Sequence, residues 1–286
     1  MTWKIKKLGS AMTAGWTAAC VLLFAAGNLP AADLAAVVSS DSGPYAEAYA
    51  AFKAALHIPV DFYNASEPGF TPPEDVRYAV AFGARAAAVE YPPGTPLVYA
   101  LAPVSGRGRR GWYEVSMLPA PAEAVAAYKG LQPGLKRLAV FWAAYPGERY
   151  LDELRGAGAK AGITIIPVKL KDPDYFPEKL RHLMGKMDAF WLMPDPALIN
   201  KSSVLVLADF SCANSIPFYA PTYALMKNGA AASFAPDFSE AGVAAAGAIT
   251  AIVAGDEPPQ VIYPGKPFLR VNSELVEKCR WPIIGK

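Results

Sequence analysis

The sequence predicts an α/β protein built as two lobes, each a parallel sheet flanked by helices. Three observations carry this. Short apolar runs alternate with helical patterns, which is how βαβ units with parallel strands read. The alternation restarts around residues 130–136, after a Gln132-Pro133-Gly134 turn. About 254 residues remain beyond an N-terminal leader, too many for a minimal domain and suited to two lobes of ordinary size. The 53% hydrophobic content, rich in alanine, indicates large buried cores rather than disorder.

The leader has the pattern of a secretory signal. Lys4, Lys6 and Lys7 form a positive start, residues 11–26 are apolar, and Ala31 and Ala32 suit signal peptidase. The apolar run is at the short end for a permanent span. Ala18-Ala19-Cys20 has the small residues of a lipidation site, but Thr17 stands where an aliphatic residue is preferred and the apolar stretch continues beyond it. The expectation is that Cys20 leaves with the signal. The whole chain has 27 basic and 25 acidic residues; without residues 1–32 the balance is 24 against 25. A near-neutral chain lacks the basic stripe of a nucleic-acid binder, and Arg107, Arg109 and Arg110 among glycines read as a solvated loop. Cys212 and Cys279 remain. An oxidising compartment permits a disulfide between them, but spacing cannot bring their Cα atoms together, so two buried thiols are the expectation.

Along the first lobe, 34–39 is a strand. Residues 44–56 form a helix, with Tyr45, Tyr49, Phe52 and Leu56 at three-to-four spacing. Residues 59–63 and 78–82 are strands, the latter stopped by Gly83 and followed by a helix at 84–90. Strands at 96–101 and 112–117 follow. After the restart come strand 138–142, helix 148–161, strand 164–168, a polar connection at 169–176 and helix 176–187. The last third holds a buried strand at 188–193, a Pro194-Asp195-Pro196 turn, an apolar helix at 202–213 and a strand at 216–220. A corner at 227–230 follows, then the Gly242- and Gly247-containing run from Asp237, and segments 268–272 and 281–283.

Ligands of open parallel sheets bind beyond the carboxyl ends of the strands. That rule selects Ser39, Ser40, Asp41 and Tyr45 after the first strand, Gly83 and Ala84 after the third, and Pro103, Val104 and Ser105 after the fourth. In the second lobe it selects the loop 143–146 with Tyr145, then Asp195, and then Tyr219 and Thr222 with their neighbours. Asp237 lies where the chain returns toward the first lobe. Each has a plain structural alternative. Ser39, Ser40 and Asp41 precede a helix and can cap it. Gly83 can be a simple turn, although the helix start there offers free N–H groups to a carboxylate. Trp142 is assigned to the core, whereas Tyr145 and Tyr219 are placed in the cleft as rigid amphipathic rings. Asp195, fixed between two prolines, is a rim residue or a polar ligand contact. Asp237 is a ligand contact or an N-cap, with Glu240 at capping-box distance.

The ordered set over 188–283 resembles the C-terminal half of the periplasmic substrate-binding proteins of ABC transporters, in the subfamily related to the tryptophan- and phenylalanine-binding lipoproteins. The resemblance implies a type I periplasmic-binding-protein fold that the chain crosses three times. Residues 33–131 with about 236–260 would form lobe one, and 132–235 with about 261–286 lobe two. It implies a non-enzymatic, monomeric receptor without cofactor that closes two lobes on a small-molecule ligand, an amino acid or aromatic compound first, and serves an ABC permease and ATPase. It places a ligand-binding Gly-Thr/Ser-Ala corner at Gly83, where Ala84 lacks the hydroxyl. It also matches Asp237 to the family aspartate that meets the ligand near the hinge. A sensor, or a carrier serving an outer-membrane partner, is the alternative.

Catalysis and metal binding find no support in the residues. His57 and His182 lack a recognisable nucleophile or carboxylate arrangement, no His/Cys cluster has metal spacing, and Gly106-Arg107-Gly108 is not followed by the Gly-Lys-Ser/Thr of a nucleotide loop.

Overall fold

The computed structural model describes residues 33–103 and 109–284. The elements of its first half are β1 (Leu34–Val38), α1 (Gly43–Ala55), β2 (Asp61–Asn64), β3 (Tyr78–Phe82), α2 (Ala84–Ala87), β4 (Leu97–Ala100), β5 (Trp112–Val115), α3 (Pro121–Leu131), β6 (Arg137–Trp142) and α4 (Glu148–Lys160). Then come β7 (Thr164–Lys169), α5 (Phe176–Leu183), β8 (Ala189–Leu192), α6 (Lys201–Asn214), β9 (Phe218–Ala220), α7 (Tyr223–Met226), β10 (Ala232–Pro236), α8 (Phe238–Val253), β11 (Val261–Ile262), β12 (Pro267–Val271) and α9 (Ser273–Lys278).

These strands form two six-stranded sheets, ordered β2-β1-β3-β4-β5-β11 and β7-β6-β8-β9-β10-β12. Every pairing is parallel except β10 with β12. The central strands β1, β4 and β8 are buried along their whole length, as strands covered on both faces must be. The fold class is the expected one, with β12 as an antiparallel departure.

The crossings between sheets explain that departure. The chain leaves the first sheet after β5, returns after β10 through α8, and leaves again after β11. Each exit is from the carboxyl end of a parallel strand, so those ends face the space between the lobes. A strand that enters the second sheet from that side, as β12 does after β11, must run against its neighbours.

Two boundaries lie elsewhere than the sequence reading puts them. Helix α3, for which the sequence pattern named no element, sends Ala124, Val125, Tyr128 and Leu131 into the core of the second lobe. The first crossing therefore precedes Pro121 rather than following residue 131. At the other end, Val261 and Ile262 pair with Glu114 and Val115, so the last crossing follows β11. The helices at 84–90 and 176–187 are also shorter than expected, ending at Ala87 and Leu183.

The cysteines depart from expectation as well. Cys212 on α6 and Cys279 after α9 form a disulfide, with Cα atoms 4.6 Å apart, inside the usual bridging range. The bridge fastens the C-terminal helix to α6, where the Trp281 indole N–H also donates to the Ser211 carbonyl at 3.2 Å.

Helices α1 and α8 pack closely on one face of the first sheet. A Cβ at Gly242 would press on the Ala48 carbonyl and come within 2.9 Å of the Phe52 nitrogen, both backbone atoms of α1, whereas one at Gly247 would meet nothing within 4 Å. Gly242→Ala should therefore destabilise by about 1–3 kcal/mol through overpacking. Gly247→Ala, on the exposed side of the same helix, should stabilise by roughly 0.5–1 kcal/mol. Urea denaturation of both variants checks the contrast.

Asp188 joins the second lobe's strands at their amino ends. Its carboxylate accepts from the backbone N–H of Lys136 (3.0 Å) and Arg137 (2.8 Å) and from the Arg137 guanidinium (2.6 Å). Partial burial pushes its pKa up, but the Arg137 hydrogen bond and the backbone donors outweigh it and hold the group below 3.8. A carboxylate depressed on folding stabilises fully above its unfolded pKa and loses that contribution as pH falls through the folded value. Acid titration of stability should thus show a component below about pH 4 that Asp188→Asn removes.

Candidate functional site

The strand-end loops of the first lobe converge on Gly83. This residue has φ of +98°, a conformation that favours glycine. A Cβ there would stand 2.5 Å from both the Ser39 hydroxyl and the Tyr45 ring. Ser39, Tyr45 and Gly83 are therefore brought together, as the strand-end rule expects. The Ser39 hydroxyl accepts from the Ala86 N–H at 2.9 Å, so it caps α2 across the sheet rather than α1. Ser40 and Ser42 share a hydroxyl–hydroxyl bond of 3.0 Å. Ser42, the N-cap of α1, makes no side-chain cap bond, which leaves first-turn N–H groups of α1 for another acceptor. Asp41 is exposed and Ala84 half-buried. Val104 lies outside the described residues.

In the second lobe a single carboxylate shapes the loop after β6. Asp195 is 2% exposed. Its Oδ2 accepts from the N–H groups of Ala143 (3.0 Å), Ala144 (2.6 Å) and Tyr145 (2.8 Å), and its Oδ1 from that of Ala197 (3.1 Å). This corrects both sequence readings of Asp195: it is neither a rim residue nor a ligand contact, because four backbone donors engage its oxygens and burial keeps it from the cleft.

The loop that Asp195 fixes carries Tyr145, which precedes a cis peptide to Pro146. Tyr145 is almost fully buried, and its hydroxyl accepts from the Met117 N–H at 3.1 Å. It thus binds the first crossing. Tyr150, one turn into α4, donates to the Pro119 carbonyl at 3.0 Å on the same crossing. Tyr263, on the third crossing, donates to Glu153 at 3.4 Å. The start of α4 therefore grips two of the three connections between lobes.

Tyr219 is the other correction. It is completely buried, stacks on Tyr128 with centroids 4.2 Å apart and donates to Gln132 at 2.7 Å. It is a core residue with a satisfied hydroxyl; alternation along β9 turns it toward α3 rather than into the cleft. Burial drives its pKa up, which keeps it a neutral donor. Thr222 caps α7, accepting from the Leu225 N–H at 3.3 Å.

Asp237 makes no N-cap bond, against the capping reading. Its carboxylate instead accepts twice from the Arg270 guanidinium, at 2.9 and 3.2 Å, with both side chains about one-third exposed. Arg270 also lies over the Tyr223 ring, 4.3 Å from its centroid. Tyr223 belongs to the strand-end loop that the sequence rule selects; Arg270 is the residue that sequence reasoning missed. Arg270 arrives beside β10 only because β12 is antiparallel, in a register that opposes it to Ser233, and no pattern in the sequence carries that register.

A cavity of about 370 Å³ opens between the β4–β5–β11 side of the first sheet and the start of α4. Of the residues selected from sequence and described here, Tyr145 and Pro146 line it. Among the described residues no cluster of His, Cys, Asp or Glu could hold a metal ion.

Asp195→Ala should cost at least about 3 kcal/mol, since it strands several buried N–H groups at once. Thr222→Ala, which loses one helix-cap bond, should cost about 1 kcal/mol. Equal losses in denaturant titrations would contradict the role given to Asp195.

A family model described as ABC transporter substrate binding protein matches residues 118–269. No curated protein matches the chain. Among solved structures, an ABC domain in complex with L-Trp from Streptococcus pneumonia aligns with a TM-score of 0.59 and 16% identity, over 88% of this chain and 96% of that one. A substrate-binding protein with adhesive properties from Clostridium difficile, in a ligand-free, open structure, aligns with a TM-score of 0.60 and 14% identity over 87% and 94%. A conserved domain protein from Vibrio cholerae gives 0.60 and 16% over 88% and 95%. At these identities the likeness is one of fold.

Proposed function

Because the chain belongs to the ABC transporter substrate-binding protein family, we propose that it is the exported receptor of an uptake system, closing two lobes on a small solute and presenting it to an ABC permease and ATPase. The observation that carries the reading is the direction of the crossings. They turn the carboxyl ends of both sheets toward one another, where sheets of this kind take ligands. On the first lobe Ser40, Asp41, Tyr45, Gly83 and Ala84 would meet the solute; on the second, Thr222, Tyr223 and Asp237 with its partner Arg270.

The chemistry favours an amino acid or a related aromatic acid. The uncapped first turn of α1 suits a carboxylate. Asp237 suits an ammonium group, because its carboxylate has lone-pair positions beyond the two that Arg270 engages. Tyr45 and Tyr223 supply rings for an apolar side chain. The structure that resembles this chain and holds L-Trp agrees with such a ligand. Export is supported by the leader pattern and by the Cys212–Cys279 disulfide, a bond that persists in oxidising compartments. Among the described residues no helix is long and apolar enough to cross a membrane.

A thermal-shift screen of the purified protein against L-amino acids and aromatic acids tests this. A micromolar ligand at millimolar concentration adds about 4 kcal/mol of stability. The shift should vanish in Asp237→Ala combined with Tyr45→Ala. A folded protein that no member of the set stabilises would contradict the ligand class.

A further inference from the structure

We propose that the cavity beside α4 is a second small-molecule site, separate from the solute cleft, and that it takes a planar aromatic base with N–H donors. Its walls are two aromatic pairs. Tyr99 and Trp112, on the first sheet, have centroids 6.2 Å apart; Tyr150 and Tyr263, on α4 and the third crossing, 6.4 Å apart. All four rings line the same void of about 370 Å³. A cavity of about 150 Å³ lined by apolar groups already accepts benzene, so this one has room for a bicyclic ring between the two pairs.

Two of the polar groups sit on one strand. Side chains two apart on a strand share a face, so β5 and its continuation present Trp112, Glu114 and Ser116 in a row to the cavity. Glu114 is 6% exposed and Ser116 3%. Glu114 also interacts within the protein; a carboxylate offers about four lone-pair positions, so an incoming N–H adds to that contact. Carboxylate oxygens accept hydrogen bonds, which suits a ligand edge that donates. The Arg149–Glu153 pair, 3.0 Å apart, is a third polar feature of the lining and is internally balanced.

The cavity is not an arm of the cleft. Ser39, Tyr45 and Gly83 do not line it. Strand β4 separates β5 from β3, and strands lie about 4.8 Å apart. The Gly83 corner is therefore two strand spacings, roughly 10 Å, from the Trp112 row. The cavity also runs back along the sheet face to the first residue of β5, whereas the cleft lies beyond the strand ends.

The test is equilibrium dialysis of the purified protein with labelled adenine, and with cyclohexylamine as a cation that lacks a flat ring. Adenine should bind saturably at one site, at least tenfold more tightly than cyclohexylamine. Glu114→Gln and Tyr263→Ala should each weaken it at least tenfold. Tyr263→Phe, which keeps the ring, should hold affinity within threefold, and Tyr45→Ala within twofold. Failure of adenine to saturate a natively folded protein would overturn the proposal. So would loss of binding in Tyr45→Ala equal to that in Tyr263→Ala, which would place the base in the cleft. Neither result bears on the uptake reading, whose test rests on Tyr45 and Asp237.

Discussion

The structure depends on where its chain changes lobes. All three connections depart from carboxyl ends of parallel strands. That constraint directs the strand-end loops of both sheets into one interlobe space, and it forces β12 to run antiparallel. It also delivers Arg270 to Asp237, since only a strand entering from the cleft side brings residue 270 beside β10. The hinge inherits the same geometry. The start of α4 holds the first crossing through Tyr145 and Tyr150 and the third through Tyr263. The proposed closure would then be confined to the short stretches on the first-sheet side of those contacts, since a hinge works by a few element-terminal residues absorbing the change.

A second recurring device is the buried carboxylate that serves backbone rather than ligand. Where parallel strands end, N–H groups lose their ladder partners and need others. Asp195 supplies them for the loop after β6, and Asp188 does so at the opposite end of the same strand. The first lobe meets the same need at the start of α2 with a neutral group, the Ser39 hydroxyl, which accepts from the Ala86 N–H. Fixed loops of this kind make a preorganised ligand surface, because little freedom is left to lose on binding.

Much of the architecture was legible in the sequence. Continuous apolar runs such as those of β1, β4 and β8 specify buried parallel strands, and the restart after Gln132 marks a second sheet. The strand-end rule brought Ser39, Tyr45 and Gly83 into one cluster. It failed for Tyr219 and Asp195 because it selects chain positions and says nothing of which face a side chain takes. One residue of register decides whether a strand-end ring stacks in the core or faces the cleft. Helix α3 is alanine-rich, so its apolar stripe is weak, and its burial against the second lobe depends on a crossing the sequence does not mark. The disulfide joins positions 67 residues apart, and nothing local to either cysteine encodes their approach. The aromatic cavity was illegible for the same reason: Trp112, Tyr150 and Tyr263 come from three segments that meet only in the folded chain.

The central claim is that a solute held at the strand ends closes the lobes about the crossings. Spin labels at Lys53→Cys on α1 and Glu178→Cys on α5 would report the separation of the lobes by double electron–electron resonance, before and after addition of an L-amino acid pool. The account predicts a distance distribution that moves to shorter values and narrows, as a ligand with differential affinity for the closed state requires. A distribution unchanged while calorimetry shows the pool binding would contradict it.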